Sequence, residues 1–271
     1  MNFLERLLYA LQVEMTEPEP YGWFHLLWIG FIIISIVILF KFRKNSSDKQ
    51  LKVVLGTYGI IALILEIIKQ LMWSFNYDVI NNIVTWDYQW YAAPFQLCTT
   101  PIFVSIICLF LKNGKIRTAL LSYLAFITII GSFMTVILPA DCLVEDIIIN
   151  IHTMWLHCGS LVVSVYLLMN GIVKLKKENL ISAAKVFIIF VAIAEILNIS
   201  IYNSNILNGE TFNMFYISPY FTSSLPVFDI IQQNVPFIIY LGIYILAIIL
   251  ASIIVYSISY LIKNKLLKKY S

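Results

Sequence analysis

The stretch that decides the fold covers residues 21–41 and reads YGWFHLLWIGFIIISIVILFK. About twenty predominantly apolar residues are enough to cross a ~30 Å hydrocarbon core as one helix. Comparable runs recur along the chain, at 51–74, 94–112, 117–138, 148–172, 183–202 and 236–262. Backbone groups in lipid must be bonded within their own segment, and the alternating strands of a barrel do not appear in the sequence. The sequence therefore predicts one all-α domain over residues 1–271, a seven-transmembrane helix bundle.

Composition supports the same class. Hydrophobic residues make up 61% of the chain and charged residues 12%, whereas an ordinary soluble domain carries about 25% charged residues. We therefore expect a multi-pass protein of the cell membrane.

The basic residues indicate the orientation, because they are confined to alternate connections between the runs. They are Lys41, Arg43, Lys44, Lys49 and Lys52; Lys112, Lys115 and Arg117; Lys174, Lys176, Lys177 and Lys185; and Lys263, Lys265, Lys268 and Lys269. The connections 75–93, 139–147 and 203–235 contain no Lys or Arg and carry acidic residues such as Asp141. Positive residues gather on the cytoplasmic side, which predicts an outer N-terminus and a cytoplasmic C-terminus. The basic charge is explained by topology, so we expect no nucleic-acid partner.

Two segments outside the runs have features of their own. In residues 1–20, Phe3, Leu4 and Leu7 share one helical face, which predicts an outer amphipathic helix that lies on the membrane or packs against the bundle. The connection 203–235 is long enough for a lid or a re-entrant element.

Polar side chains in the runs fall at overlapping depths in the outer half of the membrane. At 1.5 Å per residue, Cys98 would lie about 6 Å below the outer boundary. The set comprises His25, Glu66, Lys69, Cys98, His152, His157, Glu195 and Asn198. Ionisable residues in membrane segments usually face the bundle interior. The sequence thus predicts a polar cavity open to the outer leaflet, with PFQLCTTP (94–101) as its wall.

These residues also have plainer explanations. Glu66 and Lys69 are i,i+3 neighbours that can neutralise each other, and Glu195 with Asn198 can bond neighbouring helices. His152 and His157 are five residues apart and do not form the i,i+4 pair of a metal site. We therefore expect no metal and no cofactor.

A thiol and a histidine together permit acyl transfer. The histidine would take the thiol proton, and the thiolate would attack an ester carbonyl. Cys98 is the candidate nucleophile, with Thr99 or Thr100 as alternatives, and Gln96, Thr99 or Asn198 could donate to the oxyanion. The depth of His157 and its glycine neighbour favour it over His152 as base. The expected substrate is a membrane lipid or other acyl ester.

Two other functions remain open at this stage. One is a transporter or permease that uses Glu66, Lys69 and Glu195, and the other is a non-catalytic receptor or assembly subunit. The sequence does not predict an oligomeric state.

In the order of its motifs the chain resembles the YwaF-type family of bacterial integral membrane proteins. The matching positions are His25, Glu66, Pro94 to Thr99, Gly131 to Pro139, His157-Cys158-Gly159 and Asn213 to Tyr216. Phe95, Thr99 and Leu138 depart from the family pattern, and Asn213 lacks its adjacent tyrosine. A distant eukaryotic relative is described as an acyltransferase that remodels ether phospholipids. This resemblance implies Cys98 as nucleophile and His157 as base.

Overall fold

The computed structural model describes residues 1–41, 47–139 and 142–269. Arg43, Lys44 and Asp141, which contribute to the charge pattern, lie outside the described residues. The helices are α1 Phe3–Leu11, α2 Trp23–Lys41, α3 Asp48–Ser74, α4 Thr100–Phe110, α5 Lys115–Tyr123, α6 Ile129–Ile137, α7 Ile147–Met169, α8 Lys177–Asn203, α9 Phe228–Asn234 and α10 Phe237–Lys269.

Within the described residues, six helical segments are long and apolar enough to cross a membrane. They are α2, α3, α7, α8, α10 and a continuous segment Lys115–Ile137, in which a π-helical turn, Leu124–Thr128, joins α5 to α6. The prediction of a helical, multi-pass membrane protein is confirmed at this level.

A seventh full span over 94–112 is not confirmed, because α4 covers only 11 residues. Such a helix is about 16 Å long, roughly half the hydrocarbon thickness. Residues 94–99 are not helical, since the backbone N–H of Gln96 donates to Thr99 Oγ1 (2.9 Å) and Thr99 Oγ1 donates to the Gln96 carbonyl (3.0 Å). Pro101 occupies the first turn of α4, and Cys98 lies in the non-helical segment before it.

Helix α7 forms the centre of the bundle. Of its most apolar stretch 72% is buried, against 22% for α2 and 17% for α10. Small side chains allow this close packing: a Cβ atom on Gly159 would lie only 2.8 Å from Cδ2 of Tyr58 on α3. Ser164 also donates to the carbonyl of Leu124 at the π-helical turn (2.6 Å).

The connection between α3 and α4 contains a short hairpin, β1 Phe75–Asp78 and β2 Ile83–Trp86. Asp78 Oδ1 accepts the backbone N–H groups of Ile80 and Asn81, which closes the turn. Helix α1 packs on this region through Leu8, which is 2% exposed. Phe3, at the other end of α1, is 84% exposed. The N-terminal helix is therefore packed against the bundle on one side only.

The long connection after α8 turns back into the protein. Asn205 has φ 57°, as expected for the predicted turn after Ser204. A short 3-10 turn, Met214–Tyr216, then follows, and its Met214 and Phe215 side chains are fully buried. Part of this connection is thus an internal element rather than an exposed loop.

The close approach of α3 and α7 leads to a first prediction. Gly159→Ala places a methyl group against the Tyr58 ring, and we expect the free energy of unfolding to fall by about 1–3 kcal/mol. Gly131→Ala in α6 is the matched control, since nothing lies within 4 Å of its added Cβ. Equilibrium unfolding in mixed detergent micelles measures both. Equal stability of the two variants would contradict this packing.

Candidate functional site

Glu66 lies at the centre of a buried charged cluster. Its carboxylate is 2.7 Å from Lys69 Nζ and 2.8 Å from Gln70 Nε2 through Oε1, and 2.8 Å from His152 Nε2 through Oε2. Glu66, Lys69 and His152 are 2%, 7% and 4% exposed. The predicted pairing of Glu66 with Lys69 is present, and Glu66 also contacts His152 on a second helix, α7.

Helical spacing explains most of this geometry. Lys69 and Gln70 lie three and four residues after Glu66, so all three share one face of α3. Both side chains also donate to the carbonyl of Ala92, at 3.3 and 2.6 Å. The cluster therefore ties the α3–α4 connection to α3, and its hydrogen bonds offset the desolvation of the buried ions.

His152 uses only one of its ring nitrogens. Nε2 contacts Glu66, whereas Nδ1 is buried and has no hydrogen-bond partner in the part of the chain that the structure describes. Lys69 already balances the Glu66 charge, and a protonated Nδ1 would be a buried donor without an acceptor. The arrangement therefore favours the ring tautomer that donates from Nε2 and leaves a lone pair on Nδ1.

His157 lies deeper along α7 and is 8% exposed. Its imidazole makes no hydrogen bond to any of the described residues, so both ring nitrogens are available to a ligand. His152 lies five residues earlier on the same helix, and no hydrogen bond joins the two imidazoles among the described residues.

Cys98 is half-buried and packs against the main apolar core. Burial raises the pKa of the Cys98 thiol to about 12, and the charges of Lys69 and Glu66 act on it in opposite directions, Lys69 lowering the pKa and Glu66 raising it. Tyr58 donates to the carbonyl of Leu156 (3.3 Å), the residue before His157, and so contacts α7 beside that histidine. The thiol itself makes no hydrogen bond to either imidazole among the described residues.

Tyr216 also belongs to this region. Burial, together with the nearby Cys98, raises the pKa of Tyr216 to about 12, so its hydroxyl keeps its proton at neutral pH. The residue has φ 59°, in the left-handed region. A buried phenol that keeps its proton is a hydrogen-bond donor, and Ser224 is a side-chain partner of this hydroxyl.

The amide side chains of Gln96 and Asn198 bind the same short turn. Asn198 accepts from Met214 N (2.7 Å) and donates to Met214 O (3.1 Å). Gln96 accepts from Phe215 N (2.8 Å) and donates to Asn213 O (3.0 Å). We call this four-bond contact the amide clamp. It uses two side chains that the sequence analysis had considered as oxyanion donors.

The candidate hydroxyl nucleophiles are also bonded. The Thr99 hydroxyl exchanges hydrogen bonds with the backbone of Gln96. The Thr100 hydroxyl lies 2.8 Å from the carbonyl of Leu97 and 2.6 Å from the hydroxyl of Tyr123. Either threonine would have to break these hydrogen bonds before it could attack a substrate, so Cys98 is the best candidate nucleophile of the three.

Two predicted site residues lie in other surroundings. His25 accepts from Tyr21 N through Nδ1 (2.9 Å), and its Nε2 lies 3.0 Å from the carbonyl of Val136, so it joins α2 to α6. Both carboxylate oxygens of Glu195 are buried without a hydrogen-bond partner in the described residues. Asn198 is the amide that interacts with this carboxyl group, but its own bonds go to Met214.

Sequence reasoning missed three members of the site, Gln70, Tyr58 and Tyr216. The i,i+4 spacing of Gln70 from Glu66 was a usable signal. Tyr216 lies in the stretch Asn213 to Tyr216 that matches a family motif, but the motif assigned it no role. Tyr58 gave no local signal, because its importance comes from a contact with another helix.

Membrane-spanning helices and buried reactive side chains define a polytopic helical membrane protein with a polar interior site. The profile described as the TMEM164 family matches residues 20–263, so the chain belongs to the TMEM164 family, a family of membrane proteins. Searches of curated proteins and of solved structures each found no match. The closer resemblance to YwaF-type proteins stays a prediction.

The charged cluster leads to a second prediction. Glu66→Gln leaves Lys69 buried without a counter-charge, and we expect the free energy of unfolding to fall by about 3–5 kcal/mol. Adding Lys69→Gln should recover part of that loss. Equilibrium unfolding in mixed detergent micelles measures both variants.

Lys52→Gln is the control for this experiment, because it removes a half-exposed 3.7 Å pair with Asp48. Its expected cost is below about 1 kcal/mol. A Glu66→Gln effect no larger than that of Lys52→Gln would show that the buried cluster is not an important source of stability.

Proposed function

We propose that the protein transfers or hydrolyses the acyl group of a membrane lipid through a thioester on Cys98. The observation that supports this most is the buried Glu66–His152 contact, in which His152 Nδ1 has no hydrogen-bond partner among the described residues. His157 follows five residues later on α7, and the Glu66 charge also acts on Cys98. Carboxylate, imidazole and thiol are the three groups that activated-nucleophile chemistry requires. The resemblance to an acyltransferase adds to this support.

His157 is the proposed base, because its ring is not engaged by other described residues and the family resemblance points to it. It removes the proton from the Cys98 thiol, and the sulfur forms a bond to the acyl carbon of the ester. The ester C–O bond then breaks, and the leaving alcohol takes the proton back from His157. In the second half, a hydroxyl group or water attacks the thioester, and its proton passes through His157 to the departing thiol.

Other residues would support these steps. Tyr216 is the proposed donor to the oxyanion of each tetrahedral intermediate, where a single well-placed donor is worth about 10²–10³ in rate. His152 and Glu66 would fix the electrostatic environment of His157. In this proposal the amide clamp holds the turn that contains Tyr216.

The test is labelling of membranes with a phospholipid whose acyl chain carries an alkyne, followed by hydroxylamine treatment. We expect a hydroxylamine-sensitive label on the wild type, none on Cys98→Ala, and labelling slowed by about 10²–10⁴-fold in His157→Gln, the usual range for a lost general base. Cys142→Ala, which removes another half-buried thiol, and Cys108→Ala, which removes a fully buried one, should label normally. Unchanged labelling of Cys98→Ala would end the proposal.

A transporter is the second candidate. The observation that favours it is the carboxyl group of Glu195, whose two oxygens are buried without a hydrogen-bond partner among the described residues. Such a group can take up and release a proton as it changes environment. Glu66 is a weaker argument for transport than Glu195, because its carboxylate is held by Lys69 and His152. Substrate uptake into vesicles that survives both Glu66→Gln and Glu195→Gln would exclude this use of the two residues.

A further inference from the structure

Two adjoining cavities form one groove along the bundle where α2 and α3 lie beside α7. Their volumes are about 260 and 320 Å³, and both are lined by Leu39, Val53 and Val54. We call this continuous feature the α2–α3 groove. It lies apart from the Glu66 cluster, since none of Glu66, Lys69 and His152 lines it.

One end of the groove is polar and basic. Ser47, Lys49 and Gln50 line it at the first turn of α3. The neighbouring Asp48 is paired with Arg117 (2.5 Å) and Lys52 (3.7 Å). Lys49 makes no ion pair with any described residue, and neither cavity has an acidic residue in its lining. This end therefore presents an uncompensated positive charge.

The rest of the groove is almost entirely apolar and ends at Tyr58, Trp155 and Gly159. Nine residues of α3 separate Lys49 from Tyr58, which corresponds to about 14 Å along the helix. This is close to half the hydrocarbon thickness, the depth of one leaflet. The groove thus has the dimensions and polarity of one lipid: charged at the surface and apolar to the midplane.

We propose that the α2–α3 groove is a binding site for an anionic phospholipid of the leaflet in which α3 begins, the cytoplasmic one by the charge pattern. Its phosphate contacts Lys49, and one acyl chain lies along Val53 and Val54 as far as Tyr58. A spanning helix of a second copy would be a poorer occupant, because by the charge pattern its cytoplasmic end is rich in lysine and would place like charges beside Lys49. This site goes beyond the proposed function and does not require Cys98.

The experiment uses phosphatidylglycerol with a photoreactive diazirine on one acyl chain, mixed into phosphatidylcholine vesicles that contain the full chain. After illumination, cross-linked peptides are mapped by mass spectrometry. We expect labelling around Val53 and Leu39, and about fivefold weaker labelling in Lys49→Gln, as for the loss of one lysine near a charged membrane surface. Val53→Trp, at a 58% exposed position, should fill the groove and abolish the label.

Ile64→Trp is the matched control, because Ile64 is 51% exposed on the same helix and outside the groove. It should leave labelling unchanged. So should Cys98→Ala, so that failure of acyl transfer and failure of this site are seen separately. Labelling that Val53→Trp does not reduce, or equal labelling around Ile64, would overturn the proposal.

Discussion

A carboxylate inside a helical bundle must be matched by donors, because removing it from water costs several kcal/mol or more. Glu66 meets this condition with an ammonium group, an amide and an imidazole, all between 2.7 and 2.8 Å away. Two donors come from its own helix and the third from α7. These contacts constrain the surrounding segments. Helices α3 and α7 must stay together to bring the donors to Glu66, and the turn at Ala92 must stay in place to accept from Lys69 and Gln70.

The same constraint applies to the backbone. Irregular segments that are buried in protein need partners for their backbone N–H and C=O groups. Residues 94–99 and the Met214–Tyr216 turn are two irregular segments with buried side chains, and the amide clamp joins them. Gln96 bonds the turn from one side and Asn198 from the other. The polar residues Gln96, Thr99 and Thr100 of PFQLCTTP are therefore explained largely by their hydrogen bonds to backbone groups. Cys98 has no such bond to another residue and stays the candidate for chemistry.

Sequence reasoning succeeded where a pattern is local. Six of the seven apolar runs coincide with helices long enough to span, and the pairing of Glu66 with Lys69 follows from i,i+3 spacing. It failed over 94–112, because local hydrogen bonds between Gln96 and Thr99 replace the helical ones. The contact of His152 with Glu66 joins residues 86 positions apart, and the amide clamp joins Gln96 to a turn nearly 120 positions away. The hydrophobic periodicity of a sequence does not predict contacts between side chains so far apart in the chain.

The contact with Glu66 fixes one ring tautomer of His152, with the proton on Nε2 and a lone pair on Nδ1. Nitrogen-15 NMR of histidine-labelled protein in lipid tests it most directly, with His152→Gln used to assign the signal. We predict one protonated nitrogen and one bare nitrogen for His152, and loss of this fixed tautomer in Glu66→Gln. A signal averaged between tautomers in the wild type, unchanged by Glu66→Gln, would contradict the account.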